Sequence, residues 1–234
     1  MMSSTTYDVR RGRLQTYFNA TAVDQWAQLT STAPVSKIRQ TVRAGRDRMR
    51  EMLLDWLPGG LDGARLLDAG CGTGALSVIA AQRGAHVTAV DVAANLVDLA
   101  RERAPKDLGP GRIDFHVGDM LDPALGTFDH VVAMDSLIHY STAEIVGFLE
   151  GMAPRTRQSM VLTFAPQTPA LAAMHFVGRL FPRSDRAPEI LPVSPARLIR
   201  AIAASPRLAD WSAVRTERIV SGFYTSQALE LVRV

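Results

Sequence analysis

"LLDAGCGTGALSVIA", residues 66–80, runs an apolar strand into a glycine-rich turn and on into a helix. A turn of this kind brings backbone N–H groups close to a nucleotide-like ligand. Two fingerprints fit the same residues. Gly70-Cys71-Gly72-Thr73-Gly74 reads as GxGxG, as in S-adenosylmethionine sites, and Gly70-x-Gly72-x-x-Ala75 reads as GxGxxA, a form of the NAD fingerprint. The loop alone does not choose between them.

The pattern around the loop bears on the choice. From residue 65 onward β-like and helical runs alternate, with strands expected near 65–69, 86–91, 112–117, 128–134 and 159–165. Helices are expected near 74–83, 93–104, 142–152, 170–181 and 194–204. Alternation implies a parallel sheet with right-handed crossovers. Two last β-like runs, around 213–220 and 223–233, are separated by too few residues for a crossover and must form a hairpin. The expected fold is therefore α/β: a mostly parallel, seven-stranded, Rossmann-like class I methyltransferase sheet with a C-terminal antiparallel hairpin. Six parallel strands in two mirrored halves would instead favour a dinucleotide fold.

Residues 1–60 lack β-like runs. Ile38, Val42, Gly45, Met49, Met52, Leu53, Trp56 and Leu57 recur at helical spacing, between a Ser36 N-cap and a Pro58-Gly59-Gly60 stop. An earlier helix covers parts of 8–29. The expected organisation is a helical cap over 1–60 and a catalytic domain over 61–234, with a substrate-lid insertion near 168–192.

Three features at strand ends decide the ligand. Asp68, two residues before the turn, would repel a pyrophosphate but attract the α-amino group and sulfonium of S-adenosylmethionine. Asp119 and Met120, in "VGDM" (117–120), are placed to accept from an adenine amine and to lie along its ring. Met134 opens "MDSLIHY", at a strand end that faces the transferring methyl group. Asp91, 21 residues after Gly70, suits the ribose hydroxyls in either fold. The expected cofactor is S-adenosylmethionine, held by Asp68, Gly70, Cys71, Gly72, Asp91, Asp119, Met120 and Met134. Cys71 reads as a small side chain packed under the loop, because methyl transfer from a sulfonium needs no thiol nucleophile.

Composition excludes other classes. A single cysteine rules out an internal disulfide and a multi-cysteine metal site, and points to a reducing, cytoplasmic setting. Of the 26 basic residues only Lys37 and Lys106 are lysine, unlike the mixed clusters of a nucleic-acid surface, so no nucleic-acid partner is expected. The uncharged stretch 158–178 is broken by Pro166, Gln167 and Pro169, and reads as strand, loop and helix start rather than as a membrane span. The cluster Lys37, Arg39, Arg43, Arg46, Arg48 and Arg50 reads as a solvated helix face, with peripheral contact to anionic lipid or an acidic partner as the other reading. Residues 135–140, Asp-Ser-Leu-Ile-His-Tyr, replace the N-P-P-Y type segment that grips a planar amine, so the methyl acceptor is an oxygen or an activated carbon.

A set of motifs then follows in order: "YFNATAVDQW" (17–26), "VSKIR" (35–39), "LDAGCGTG" (67–74), "DSLIHY" (135–140), "TFAPQT" (163–168), "GRLFP" (178–182) and "SGFYTSQALELVR" (221–233). Together they resemble the magnesium-protoporphyrin IX O-methyltransferases of bacteriochlorophyll and chlorophyll synthesis, with departures at Ala20 and Gln167. The resemblance implies methylation of one propionate of magnesium protoporphyrin IX to the monomethyl ester, and hand-over of the porphyrin from the large magnesium-chelatase subunit. It also implies roles for His139, toward the propionate or the magnesium, and for Tyr17, over the reacting methyl group. Lys37 would meet the methionine carboxylate or a propionate. Another small-molecule O- or C-methyltransferase, of a quinone or polyketide, is the alternative that the shared cofactor residues leave open.

Overall fold

The computed structural model describes residues 4–20, 36–167 and 189–234. Its elements in chain order are α1 (Ser4–Ala20), α2 (Lys37–Asp55), β1 (Arg65–Ala69), α3 (Ala75–Gln82), β2 (His86–Asp91), α4 (Ala94–Arg103) and β3 (Arg112–Val117). They continue with β4 (Phe128–Ala133), α5 (Thr142–Met152), β5 (Thr156–Phe164), α6 (Pro195–Ala203), β6 (Trp211–Ser221) and β7 (Tyr224–Arg233). One seven-stranded sheet forms in the order β3-β2-β1-β4-β5-β7-β6. Strands β1 to β5 pair in parallel, and β7 pairs antiparallel with both β5 and β6. The expected sheet and hairpin are both present. The fifth strand starts at Thr156, three residues before its expected first residue. The expected helix at 170–181, most of the lid insertion, Trp26 and the "GRLFP" motif lie outside the described residues.

Side-chain alternation assigns the two faces of the sheet. Leu67, Ala69, Val131, Ala133, Met160 and Leu162 face one side, where α5 and α6 contribute Ile145, Phe148, Leu149, Leu198 and Ile202. Leu66, Val132, Val161 and Ala228 face the other, against Met49, Leu53 and Leu54 of α2 and Leu76 and Ala80 of α3. A parallel sheet covered on both faces needs buried residues at successive positions, and after its exposed first residue, Arg65, β1 supplies apolar Leu66, Leu67 and Ala69 with the buried Asp68 between them.

The N-terminal helices take opposite sides of this sheet. Tyr7 and Leu14 of α1 join the core on the α5 side. Helix α2 is capped by Ser36, whose hydroxyl accepts from the Arg39 N–H, and buries Gly45, Met49, Leu53 and Leu54 on the other side. Gly45 allows α2 to approach the hairpin closely: a Cβ there would lie 2.6 Å from Tyr224 Cδ1 and 2.9 Å from Ser221 Cβ. Ser221 Oγ also donates to the Thr41 carbonyl at 2.8 Å. The two helices thus straddle the edge where β1 and β4 end. There the strand order reverses, which is where open α/β sheets bind ligands.

Gly45→Ala tests this approach. Alanine gains about 1 kcal/mol of helix propensity, but overpacking against a ring tied down through its hydroxyl costs about 1–3 kcal/mol. The expected net effect is a destabilisation of about 1 kcal/mol, read as a lower urea midpoint with an unchanged slope. A midpoint at or above the parent's would show that α2 has room to shift.

Candidate active site

The glycine-rich turn sits between β1 and α3 with Gly70, Gly72 and Gly74 all in the left-handed region, at φ 85°, 52° and 77°. At Gly70 space as well as conformation excludes a side chain, because a Cβ would meet Ser136 Cβ at 2.3 Å. Gly70 and Cys71 donate their N–H groups to the Val90 carbonyl at 2.8 and 3.0 Å, which ties the turn to β2. Asp91, at the end of β2, closes the arrangement: Oδ2 accepts from the Gly72 N–H and Oδ1 from the Ala93 N–H, each at 2.9 Å. Burial pushes its carboxyl pKa upward, against the opposing effect of those N–H donors.

These residues line a cavity of about 510 Å³ that also includes Asp68, Cys71, Met120, Met134, Ser136, His139 and Tyr140. Asp68 is buried, 2% exposed, and Oδ2 accepts from Ser77 Oγ at 2.6 Å. Desolvation pushes its pKa up to about 7, opposed by the Ser77 hydroxyl and raised further by Asp91. A buried carboxyl titrating in this range awaits a cation, and the amino group and sulfonium of S-adenosylmethionine are cations of the right kind. Asp91 and Gly72 are placed for a ribose, and Met120 and Met134 offer flat, polarisable walls. Burial raises the Cys71 thiol well above its ordinary pKa, and its Sγ lies 3.8 Å from the Gly72 carbonyl. It packs beneath the loop as an un-ionised side chain.

His139 stands on a short 3-10 turn, Leu137–His139, directly after β4. It is buried, with Nδ1 3.0 Å from the Glu189 carbonyl. A carbonyl accepts only, so Nδ1 carries the proton and Nε2 keeps its lone pair in the neutral ring. Desolvation lowers its pKa, so the ring is neutral at pH 7. The Arg10 guanidinium of α1 fixes the same turn, donating to the His139 carbonyl and to Glu144 Oε1, both at 2.9 Å. Glu144 and Ser141 form the capping box of α5, so α1 is fastened to the start of that helix.

Three expected positions come out differently. Tyr17 is half-buried, edge to face with Phe18 at 5.3 Å, and outside the cavity lining; Tyr7, Leu14 and Phe18 are the α1 side chains that line it. Tyr7 stacks on Tyr140 at 5.8 Å, and Phe18 lies edge-on to His139 at 6.4 Å. Asp119, expected at the adenine amine, is given to the cap: Oδ1 accepts from the Tyr7 hydroxyl at 2.6 Å and from the Leu121 N–H, and Oδ2 pairs with Arg11. Lys37 is exposed at the first turn of α2 and away from the cavity. Among the described residues the cations that line it are Arg43, Arg46 and Arg50 of the same helix, whose sequence reads as a solvated face or as a contact for anionic lipid or an acidic partner. Their i, i+3, i+7 spacing was the available signal. Asp135, also in the lining and not among the expected site residues, faces Arg46.

Comparison with known proteins agrees with this geometry. A family model described as a methyltransferase domain matches residues 66–158, and one described as the magnesium-protoporphyrin IX methyltransferase C-terminus matches residues 133–233. The chain is 48% identical to a magnesium-protoporphyrin O-methyltransferase of Rhodobacter capsulatus, over 94% of this chain and 95% of that one. The chain belongs to the magnesium-protoporphyrin O-methyltransferase family. Its chloroplastic member from Arabidopsis thaliana is 31% identical, over 92% of this chain and 69% of its own length. The Synechocystis PCC 6803 member, crystallised with bound S-adenosylhomocysteine, superposes with a TM-score of 0.83 at 30% identity, covering 95% of this chain and 99% of that one. The class I methyltransferase fold and the S-adenosylmethionine cofactor follow for this chain as well.

The raised pKa of Asp68 makes cofactor binding pH-dependent. A cation seated against the carboxyl favours its ionised form, so binding at pH 7 releases about half a proton, and nearer a whole one below that. Affinity should therefore rise from pH 6 to pH 8, by about tenfold for a group titrating near 7. Calorimetry in two buffers of different ionisation enthalpy reads both the affinity and the proton count. In Asp68→Asn the pH dependence should vanish and affinity should be low throughout. The same pH dependence in that variant would move the proton to another group.

Proposed function

We propose that the protein transfers the methyl group of S-adenosylmethionine to a propionate carboxylate of magnesium protoporphyrin IX, giving the monomethyl ester. The observation that carries this reading is the near-full-length 48% identity to the Rhodobacter capsulatus enzyme, joined to a cavity that holds the cofactor loop at one end and an apolar wall at the other. A carboxylate oxygen attacks the methyl carbon, the S–CH3 bond breaks, and its electron pair returns to sulfur. Both reactants lose a charge in this step, so an apolar surround favours the transition state over the separated ions. Leu14, Phe18, Met120 and Met134 provide that surround. A propionate with an ordinary pKa near 4–5 is already ionised at pH 7. No general base is needed, and alignment can supply about 7–11 kcal/mol of the barrier reduction.

The roles of individual residues follow from their places. Asp68 receives the α-amino group, and Arg50, whose charge acts on Asp68, receives the methionine carboxylate beside it. Asp91 receives the ribose hydroxyls. His139 presents the Nε2 lone pair to the substrate, where it would hold the porphyrin's magnesium rather than accept from an ionised propionate, and its Nδ1–H fixes that tautomer. Tyr17 supports Phe18 rather than reaching the methyl group itself. Helix α1 acts as part of a lid, fastened at Asp119, Glu144 and the His139 carbonyl. The exposed Arg39 and Arg48 offer a basic surface to an acidic partner, such as the chelatase subunit that supplies the porphyrin, or to anionic lipid. No helix among the described residues is long and apolar enough to cross a membrane.

Two measurements test the reading. His139→Ala should lower kcat much more than cofactor affinity, and the wild-type kcat at saturating cofactor should stay nearly flat from pH 5.5 to 9. A single-proton loss of rate across that range, absent in His139→Gln, would make the imidazole a base and overturn the orientation role. A chain lacking residues 1–34 should still bind S-adenosylhomocysteine but fail to methylate the porphyrin, since lid and cofactor functions are separable. Normal turnover by the shortened chain would remove the lid from the mechanism.

A further inference from the structure

Asp135, two residues past β4, is the single non-glycine residue with positive φ among the described residues, at 54°. Its backbone N–H donates to Thr163 Oγ1 at 2.7 Å, and its Oδ1 accepts from the Tyr224 hydroxyl at 3.0 Å. The other oxygen, Oδ2, is buried without a hydrogen-bond partner and lies 3.5 Å from Arg46 Nε. A left-handed backbone, one hydroxyl that holds the N–H and another that holds Oδ1 therefore place Oδ2 against a guanidinium on the cavity wall. Tyr224 is itself wedged against Gly45, so the helix that carries Arg46 is fixed by the same tyrosine.

This side of the cavity has to receive carboxylates of different fates. The cofactor brings one and the porphyrin two, and only one of the three is consumed. A guanidinium on the reacting propionate would stabilise the anion in the ground state and lose its partner as the ester forms, which raises the barrier. A guanidinium on the propionate that stays ionised holds substrate and transition state alike and has no such cost. Arg50 stands with Asp68 at the cofactor end, and Arg46, about one turn earlier on α2, stands with Asp135.

We propose that Arg46, held in place by Asp135, binds the propionate that is not methylated and thereby limits the enzyme to one methylation. The inference rests on the reading under Proposed function. The monoester could react again only by entering reversed, with its neutral ester against the guanidinium. That orientation forfeits a charge-assisted hydrogen bond and leaves Arg46 facing an acceptor of little charge. Arg46 is thus a substrate-binding, specificity-determining residue, and Asp135 is a positioning residue that acts through it.

The test compares magnesium protoporphyrin IX with its dimethyl ester, binding to the full chain saturated with S-adenosylhomocysteine, by porphyrin fluorescence. The parent should prefer the diacid by about tenfold to a hundredfold, the range for a hydrogen bond to a charged group. Arg46→Gln should lose most of that preference, Arg46→Lys should keep part of it, and Asp135→Asn should weaken it while raising KM more than it lowers kcat. Extended turnover by Arg46→Gln should yield diester that the parent does not make. Calorimetry with S-adenosylhomocysteine should give an affinity for Arg46→Gln within about twofold of the parent, which also reports that the cofactor site is folded. If Arg46→Gln does not fold, Arg46→Lys carries the same comparison. Undiminished preference for the diacid in these variants overturns the proposal. So does a tenfold loss of S-adenosylhomocysteine affinity with the preference intact, which would assign Arg46 to the methionine carboxylate. A parent chain that methylates no magnesium protoporphyrin would instead refute the reading of the reaction itself.

Discussion

The carboxylate of Asp91 joins two parts of the backbone that would otherwise be independent. One oxygen holds the glycine-rich turn through Gly72, and the other holds the chain leaving β2 through Ala93. Each donor is a backbone N–H that a buried turn must satisfy in some way. Because both go to one side chain, the distance between the turn and the end of β2 is fixed before a cofactor arrives. The cavity inherits that spacing. Asp68 sits on the strand leading into the turn and Ser136 packs under Gly70, so a change at Asp91 would reach the amino-acid end of the cofactor as well as its ribose.

Strain and burial concentrate around this frame. Three glycines and Asp135 adopt positive φ at or beside the cavity, and the carboxyls of buried Asp68 and half-buried Asp91 have raised pKa values. The left-handed Asp135 and the two desolvated carboxyls cost stability when no ligand is bound, whereas the glycines take their conformation without strain. Their common use is to present hydrogen-bonding groups and negative charge to a ligand that is cationic at its centre. The apolar cores on the two faces of the sheet carry the compensating stability. Those cores sit on β1, β4 and β5, the strands whose ends build the site.

The fold was legible because its signals are local. Alternating apolar runs, a glycine turn and a short final connection suffice for a parallel sheet with a hairpin, and the acidic residues at strand ends lie within a few residues of them. What escaped the sequence depends on helix phase. At about 100° per residue, Tyr17 lies some 80° around α1 from Tyr7, whereas Phe18 returns to within about 20° of it. Tyr7 and Phe18 therefore share the cavity side and Tyr17 does not, but which stripe faces inward is set by where the helix lands. The same holds for α2. Arg43, Arg46 and Arg50 form a stripe visible in the sequence, yet arginines on a polar helix ordinarily face water, and only the seat of α2 beside the cofactor turn reverses that. Asp135 stands in the quoted 135–140 segment, but its left-handed conformation, which glycine adopts freely and Asp only occasionally, gave no signal of its own.

The division of charge around the cavity matches the arithmetic of the reaction. Methyl transfer from a sulfonium to a carboxylate removes one positive and one negative charge together, while the charges of the methionine amino and carboxylate groups and of the second propionate survive unchanged. Groups that survive profit from fixed counter-charges, and Asp68 and the arginines of α2 stand on the side of the cavity formed by the cofactor turn, α2 and Asp135. Groups that vanish profit from a surround that solvates ions poorly. Phe18, Tyr7, Tyr140 and the neutral ring of His139 gather on the α1 side, joined by stacking and edge contacts rather than by ion pairs among their rings. The ion pairs of α1, at Asp119 and Glu144, lie outside the cavity lining, where they can hold the helix in place without placing a charge beside the reacting atoms.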